Sequence, residues 1–264
     1  MKRYALITGA SAGIGKEFAQ QLAEKGWNLL LVARREQTLK ELSEKLNREY
    51  DIDARYYNAD LGDTTQPRKL YEFCRESKLN IAMVVNNAGY GVPGDFENND
   101  WKTHKDNLQV MLNSVVEICH FFYPSMIKQK YGRIINIASL AGFAPPTAGH
   151  TLYGGIKSFV IRFSHSLHLE SKDKGVHVTA LCPGFTFTEF HDVNGTRQMV
   201  SKLPKFMWMT SEKVVKQGII AVEKNKPVKV NGKINRIIAA LSSSLPDWVT
   251  RMLFAGKTNK YRKR

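Results

Sequence analysis

The chain has 264 residues, of which 43% are hydrophobic and 24% charged, a composition typical of a soluble globular protein with a large core. Its three scattered cysteines (Cys74, Cys119 and Cys182) lack metal-ligand spacing, which predicts free thiols, a reducing compartment and no metal site. The net charge of +15 fits a solvated basic tail or, as the alternative, an anionic partner, and no zinc-finger spacing or aromatic RNA-binding signature indicates a nucleic-acid reader.

The opening stretch, MKRYALITGA, contains an apolar run that leads directly into a glycine-rich turn. This run is too short for the core of a signal peptide. No apolar stretch of the sequence is expected to reach the length of a transmembrane helix. The predicted location is therefore the cytoplasm.

Short apolar runs alternate along the chain with longer segments of helical period. Seven of these runs predict strands, at 4–8, 28–34, 54–61, 81–89, 132–139, 176–184 and 227–230. The intervening segments predict helices, the first ending near Gly26 and the others at 36–50, from Pro67 onward, at about 100–130 and at 153–173.

This alternation predicts an α/β fold in which a doubly wound parallel sheet of about seven strands carries helices on both faces. No internal repeat or low-complexity linker interrupts the chain, so residues 1–264 are predicted to form a single domain. The segment at about 185–210 is rich in Phe and Met and breaks the alternation, which indicates a lid. A basic tail is predicted at about 255–264.

A glycine-rich stretch, TGASAGIG at residues 8–15, lies between the first strand and the first helix. Gly9, Gly13 and Gly15 allow a tight turn, a close approach of the backbone to a phosphate, and close packing of helix on strand. The helix N-terminus that follows favours a pyrophosphate. An ordinary glycine-rich turn is the alternative, but this position in an alternating pattern predicts a nucleotide site.

Two arginines, Arg34 and Arg35, follow the second strand. Proteins that bind NAD usually have an acidic residue there, which accepts a hydrogen bond from the ribose 2′-hydroxyl. A guanidinium instead fits a 2′-phosphate, so NADP(H) is the predicted cofactor. The alternative is a pair of solvated arginines at a helix start. Asp60, at the end of the third strand, is a candidate for contacting the adenine amino group and equally a candidate turn former.

Tyr153 and Lys157 lie four residues apart in the stretch LYGGIKSFV, a spacing that puts both on one side of a helix. A cation about 5 Å from a phenol favours the phenolate by roughly 3 kcal/mol at an effective dielectric near 20, or about two pKa units. Such a pair can give or take a proton near neutral pH. The alternative is a tyrosine beside a solvated lysine.

Together these motifs resemble the classical short-chain dehydrogenase/reductase family. The matching features are Gly9-x-x-x-Gly13-x-Gly15, NNAG at 86–89, Ser139 ending IINIAS, Tyr153-x-x-x-Lys157, and the PG pair at 183–184 followed by Thr188. Their order and spacing cover the chain to about residue 190. The resemblance implies a Rossmann-like fold and an NADP(H)-dependent oxidoreductase.

The resemblance also implies roles for individual residues. Ser139 would hydrogen-bond the substrate oxygen, Tyr153 would exchange its proton, and Lys157 would lower the tyrosine pKa and bind the nicotinamide ribose. Asn113 matches the helix asparagine of a water-linked proton relay. Thr186 stands where the family usually has a branched aliphatic residue, and it is expected to contact the nicotinamide amide through its backbone. The predicted cofactor contacts are Gly9, Ser11, Gly13, Ile14, Gly15, Arg34, Asp60, Leu61, Asn87, Ala88, Gly89, Tyr153, Lys157, Pro183, Gly184, Thr186 and Thr188.

The predicted reaction is the reduction of a carbonyl by NADPH, reversible as alcohol oxidation. Aromatic and methionine side chains of the lid suggest a lipophilic ketone or ketoacyl substrate, although they could instead pack against the core or a partner subunit. These lid residues are Phe185, Phe187, Phe190, Phe206, Met207 and Trp208.

Other functions and partners stay open at this point. A catalytically idle protein that binds NADP and signals through a partner is one alternative, and the presence of both Tyr153 and Lys157 argues against it. Residues 251–264 contain six basic residues and no acidic one, and with the amphipathic segment before them they could contact an anionic membrane surface or form a solvated tail. The resemblance implies a homodimer or homotetramer formed through the helices at 100–130 and 153–173.

Overall fold

The computed structural model describes residues 2–146, 148–149, 151–189, 204 and 207–244. Within these ranges the strands are β1 Arg3–Thr8, β2 Asn28–Ala33, β3 Ala54–Asn58, β4 Asn80–Asn86, β5 Gly132–Ile137, β6 Val176–Cys182, β7 Thr186–Phe187, β8 Met209–Thr210 and β9 Val228–Val230. The α-helices are α1 Gly13–Ala23, α2 Glu36–Glu49, α3 Gln66–Glu76, α4 Trp101–Leu108, α5 Ser114–Lys128, α6 Thr151–Glu170, α7 Ser211–Glu223 and α8 Lys233–Ser244.

Seven of the strands form one sheet in the order β3-β2-β1-β4-β5-β6-β9, and every pairing within it is parallel. The predicted α/β fold with a seven-stranded, doubly wound parallel sheet is confirmed. The order reverses between β1 and β4, since the chain first moves outward through β2 and β3 and then returns to the other side of β1. In open parallel sheets of this kind, ligands bind at the carboxyl ends of the strands beside such a reversal.

Each face of the sheet carries its own hydrophobic core, because successive side chains of a strand point to opposite faces. In β1, Tyr4 and Leu6 join one core with side chains of α3, α5 and α6. Ala5 and Ile7 join the other core with side chains of α1, α2 and α7. Burial on both faces explains why the strands appear in the sequence as continuous apolar runs.

Five strands end earlier than the sequence predicts: β2, β3, β4, β5 and β6. β3 stops at Asn58, β4 at Asn86 and β6 at Cys182, so the residues that follow them leave the sheet at its carboxyl edge. Apolar and small residues continue past each of these points, and residue type alone therefore does not mark where ladder hydrogen bonds stop. The residues released in this way include Asp60, Gly89 and Gly184, which line the cleft described below.

A single long helical segment runs from Trp101 to Lys128, with a π-helical turn at Gln109–Asn113 between α4 and α5. By length and composition this segment could cross a membrane, contrary to the expectation that no apolar stretch would be long enough. Its apolar side chains, among them Ile118 and Phe122, belong to one core of the sheet. The hydrophobicity of the segment is therefore explained by its packing against the sheet.

The predicted lid lies partly within the described residues. β7 pairs with β8 in parallel, and the Trp208 ring lies 5.6 Å from the Phe185 ring and 4.7 Å from the Phe187 ring. These contacts join the two ends of the segment at about 185–210. The predicted lid residues Phe190 and Phe206 and the basic tail at about 255–264 lie outside the described residues.

Candidate active site

A cleft of about 1280 Å³ opens at the carboxyl edge of the sheet. It runs from the loop after β1, past the ends of β2, β3 and β4, to the start of α6 and the loop after β6. Every predicted site residue lines this cleft except Gly15 and Asn113. The tertiary structure thus brings together residues that are spread over most of the sequence.

The glycine-rich loop forms the floor of one end of the cleft. Gly9 and Gly13 have φ angles of +65° and +52°, a backbone conformation that glycine adopts without strain. A Cβ on Gly15 would lie 2.2 Å from the Gly9 carbonyl oxygen, which explains why this glycine is needed although it does not line the cleft. Its role is close packing of α1 against the loop, and only backbone atoms fit there.

Thr8 and Asn87 join this loop to the end of β4. The Thr8 hydroxyl accepts hydrogen bonds from the backbone N–H groups of Asn87 (2.9 Å) and Ala88 (3.0 Å). In return the Asn87 amide donates to the carbonyl oxygens of Thr8 (3.0 Å) and Gly9 (3.3 Å). These reciprocal bonds hold the loop in one shape before any ligand arrives, which lowers the entropic cost of binding.

The N-terminus of α1 faces the cleft with its backbone N–H groups. Its N-cap residue, Ala12, makes no side-chain cap hydrogen bond, and the first turn contains no acidic side chain. Free N–H groups and the helix dipole attract an anion. This turn and the close glycine packing fit the pyrophosphate of a dinucleotide.

The two arginines after β2 lie at the cleft in different environments. Arg34 Nη1 is 4.0 Å from Asp60 Oδ2. Arg35 donates to the Ser11 hydroxyl and to the Ser11 carbonyl oxygen, both at 3.2 Å, and its Nη1 lies 3.3 Å from Glu189 Oε2. Arg35 therefore links the glycine-rich loop to the loop after β6, a role that its position in the sequence did not indicate.

The other end of the cleft carries Ser139, Tyr153 and Lys157. Ser139 follows β5 and caps a short 3-10 turn, where its hydroxyl accepts from the backbone N–H of Ala141 at 3.1 Å. Tyr153 and Lys157 lie one turn apart on α6. A hydrogen bond between the Tyr153 and Ser139 side chains brings the two hydroxyls together.

Burial dominates the electrostatics of this pair. It raises the pKa of Tyr153, and the hydrogen bond with Ser139 offsets only part of that rise. Burial also lowers the pKa of Lys157 to about 8. The Lys157 ammonium donates to the Ile137 carbonyl oxygen at 2.8 Å and lies 5.7 Å from the centre of the Tyr153 ring. Burial is therefore the main influence on the pKa of Tyr153, and the lowering of that pKa by Lys157 stays a prediction.

The structure does not bring Asn113 to the cleft. Asn113 is exposed, and its amide donates to Gln109 Oε1 at 3.0 Å within the π-helical turn. Met111, two residues earlier, lines the cleft and packs against Gly89, where a Cβ would lie 3.3 Å from Met111 Cγ. A step of two residues along a helix turns the side-chain direction by about 200°. Asn113 therefore points away from the cleft, although it lies only two residues from Met111.

The loop after β6 closes the cleft over the start of α1. A Cβ on Gly13 would lie 3.1 Å from Thr188 Cβ, and one on Gly184 would lie 2.4 Å from Asn235 Nδ2. The Thr186 hydroxyl is turned back to the Gly184 carbonyl at 3.0 Å. Its side chain therefore stabilises the loop, and a contact to ligand through the Thr186 backbone stays a prediction.

Several residues that form or support the cleft were not anticipated from the sequence. Thr8 does not line the cleft but holds the loop after β4, and a threonine at the end of an apolar strand was the available signal. Tyr90 and Met111 line the cleft without any motif. Apolar side chains predominate in the wall beside Ser139 and Tyr153: Met111, Leu140, Phe185, Met207 and Ile238.

Comparison with known proteins agrees with this site. The family model described as "short chain dehydrogenase" matches residues 3–198. The very-long-chain 3-oxoacyl-CoA reductase of Anas platyrhynchos is 31% identical over 97% of this chain and 80% of its own length. Among solved structures, the short-chain dehydrogenase from Sphingobium yanoikuyae in complex with NADPH is 27% identical with a TM-score of 0.81, over 92% of this chain and 96% of the other.

A second solved structure is the bulky-bulky ketone specific alcohol dehydrogenase from Comamonas testosteroni. It is 27% identical with a TM-score of 0.76, over 92% of this chain and 94% of the other. The family match, the sheet order and the nucleotide-binding loop all agree with a nicotinamide-dependent dehydrogenase or reductase. The chain belongs to the short-chain dehydrogenase family and is an oxidoreductase.

Proposed function

We propose that this protein uses NADPH to reduce the carbonyl group of a lipophilic ketone or ketoacyl compound to an alcohol. The observation that carries the proposal is one continuous cleft that joins three features. It has two arginines at one end, a glycine-rich anion-binding loop in the middle, and Ser139, Tyr153 and Lys157 beside an apolar wall at the other end.

The preference for NADPH over NADH rests on charge. Arg34 and Arg35 both line the cleft where the ribose of the adenosine would lie, and Arg35 is already ordered by two hydrogen bonds to Ser11. A 2′-phosphate would gain charge-assisted hydrogen bonds there. Asp60, 4.0 Å from Arg34, orients this guanidinium and partly offsets its charge.

The chemistry divides between the cofactor and the chain. The reduced nicotinamide supplies the hydride when NADPH is bound. Tyr153 gives its phenolic proton to the carbonyl oxygen, and the Ser139 hydroxyl donates a hydrogen bond to the same oxygen as negative charge develops on it. A neutral phenol is the form that can donate, and burial favours that form by raising the pKa of Tyr153.

Lys157 prepares the site in two ways. Its hydrogen bond to Ile137 fixes the ammonium behind Tyr153, and a ribose hydroxyl within reach would take another of its three donors. With a pKa of about 8, the ammonium is mostly charged at neutral pH. It therefore favours negative charge on the tyrosine oxygen after the proton has left.

The apolar wall supports a lipophilic substrate. Met111, Leu140, Phe185, Met207 and Ile238 offer no charged group near the reacting end, so an apolar substituent on the carbonyl would be desolvated at little cost. The names of the relatives point the same way, since one is a very-long-chain 3-oxoacyl-CoA reductase and another is specific for bulky-bulky ketones.

The test is a panel of ketones, ketoacyl thioesters and aldehydes of increasing chain length, followed by NADPH absorbance and repeated with NADH. We expect turnover to rise with apolar substituent size and to be faster with NADPH. The Tyr153→Phe variant supplies the matched background. No turnover of any carbonyl by a chain that binds NADPH would overturn the proposal and favour a nucleotide-binding sensor.

We also propose that the protein is a cytoplasmic homodimer or homotetramer that associates through α5 and α6. Exposed apolar side chains on α6, Phe159 at 39% and Leu169 at 63% exposure, support such an interface. Light scattering during gel filtration tests the assembly. A monomer at all concentrations would contradict it.

A further inference from the structure

Helix α8 carries an exposed apolar stripe. Ile234, Ile237 and Leu241 retain 43%, 61% and 52% of their accessible surface, and their spacing of three and four residues puts them on one side of the helix. The opposite side is anchored, because Asn235 and Ala239 are buried and the Asn235 amide donates to the Asn231 carbonyl at 2.8 Å. Helix α8 is therefore held in place while it presents aliphatic side chains to solvent.

The stripe is continuous with the cleft. Ile238 adjoins Ile237 and Leu241 on the helix surface and lines the apolar wall of the cleft. Phe187, in β7, is also exposed and stacks on Trp208 at 4.7 Å. Apolar surface thus extends from the reacting end of the cleft to the outside of the molecule.

Positive charge is concentrated in the same part of the chain. Residues 211–264 contain 13 Lys and Arg and 3 Asp and Glu, a net charge of +10 out of the +15 of the whole protein. On α8 itself, Lys233 and Arg236 are exposed next to the apolar stripe. A helix that combines aliphatic residues with basic neighbours matches the anionic headgroup region of a bilayer, where apolar side chains enter and cations meet phosphates.

We propose that the α8 surface, defined as Lys233, Ile234, Arg236, Ile237 and Leu241, docks on an anionic lipid bilayer. A second copy of the chain fits less well, since a symmetric contact would bring Lys233 and Arg236 of both copies together. A nucleic acid would use the cations but leave the aliphatic stripe in water. The bilayer is the partner that uses both features, and this inference stands independently of the reductase activity.

Sedimentation of the full-length protein with large unilamellar vesicles tests the proposal. Vesicles of phosphatidylcholine alone are compared with vesicles that also contain phosphatidylglycerol, at low and high salt and without substrate. We expect binding to the anionic vesicles only, weakened by salt because the attraction is screened. Equal binding to both vesicle types, or none to either, would overturn the proposal.

Substitutions test whether vesicle binding depends on the α8 surface or only on the overall positive charge of the protein. The double variant Ile237→Ser with Leu241→Ser should lower partitioning onto anionic vesicles by at least about tenfold, since two apolar side chains no longer leave water. Ile220→Ser is the matched control, because Ile220 is 47% exposed but lies on α7, and it should bind like the unmodified protein. An unchanged partition of the double variant would place the binding elsewhere and overturn the proposal.

Two further readouts keep the result interpretable. NADPH binding by the double variant verifies its fold, and Lys233→Gln with Arg236→Gln provides a second variant without apolar change, which should also bind anionic vesicles more weakly. Binding to polyglutamate as strong as to vesicles would indicate an acidic protein partner. Loss of an oligomer in the double variant would indicate contact between copies, and either result overturns the proposal.

Discussion

The two ends of the cleft are built on different principles. The nucleotide end consists mainly of backbone, with left-handed glycines at Gly9 and Gly13 and a loop held by Thr8 and Asn87. The reacting end consists of buried ionisable side chains. Burial raises the pKa of Tyr153 and lowers the pKa of Lys157, so it favours the neutral form of each group. Substitutions at the nucleotide end should therefore change cofactor affinity by altering the shape of the loop. Substitutions at the reacting end should change turnover without a matching loss of stability.

The largest expected effect is at the reacting end. Tyr153→Phe retains the ring and its packing but removes the proton donor, so turnover should fall by about a hundred- to ten-thousandfold, the usual contribution of a general acid. NADPH affinity, measured by fluorescence titration, should change little. More than about a tenth of the original rate in this variant would contradict the role of Tyr153 as the acid.

A charge reversal at the nucleotide end should alter cofactor choice. Arg34→Asp removes a partner of the 2′-phosphate and adds a carboxylate, and we expect about a ten- to hundredfold loss of NADPH affinity with a gain for NADH, as when a charged hydrogen bond is lost. Arg68→Asp, the same change on the exposed face of α3, controls for the overall field. The same ratio of NADPH to NADH affinity in both variants would show that Arg34 does not contact the phosphate.

A single added methyl group tests the role of backbone packing at that end. In Gly15→Ala the new Cβ would lie 2.2 Å from the Gly9 carbonyl oxygen, so the loop must move, and overpacking of this kind costs about 1–3 kcal/mol. We expect at least about tenfold weaker binding of NADPH and NADH alike. Gly155→Ala adds the same methyl where nothing lies within 4 Å and should retain binding; equal affinities in the two variants would contradict the steric argument.

The smallest effect should reveal the cost of burying Lys157. Because its folded pKa is about 8, below its ordinary 10.5, the buried group lowers stability below pH 8, and this penalty disappears as the pH rises toward 10.5. Lys157→Met should therefore stabilise the cofactor-free protein at neutral pH by about 2 kcal/mol, after the lost hydrogen bond is subtracted. Urea unfolding at neutral and alkaline pH measures this gain, which should shrink at high pH; a variant less stable at neutral pH would contradict it.

Much of the fold could be predicted because its signals are local. Continuous apolar runs that alternate with helical periods indicate a parallel sheet covered on both faces, and the spacing of Gly9, Gly13 and Gly15 indicates a strand, a turn and a helix within thirteen residues of the start of β1 (Arg3 to Gly15). The lysine and tyrosine of α6 share a side because the helical repeat requires it. None of these inferences depends on where the rest of the chain goes.

Sequence by itself therefore determined the strand–helix order, the glycine-rich loop and the Tyr–Lys spacing. Only the tertiary structure decided that Met111 rather than Asn113 reaches the cleft, that Arg35 meets Glu189 across 154 positions of sequence, and that burial raises the pKa of Tyr153. Periodicity depends only on residues that are close in the sequence, so it can be recognised from the sequence alone. Desolvation and long-range contacts arise from atoms that approach only after the chain has folded, and no local pattern records them.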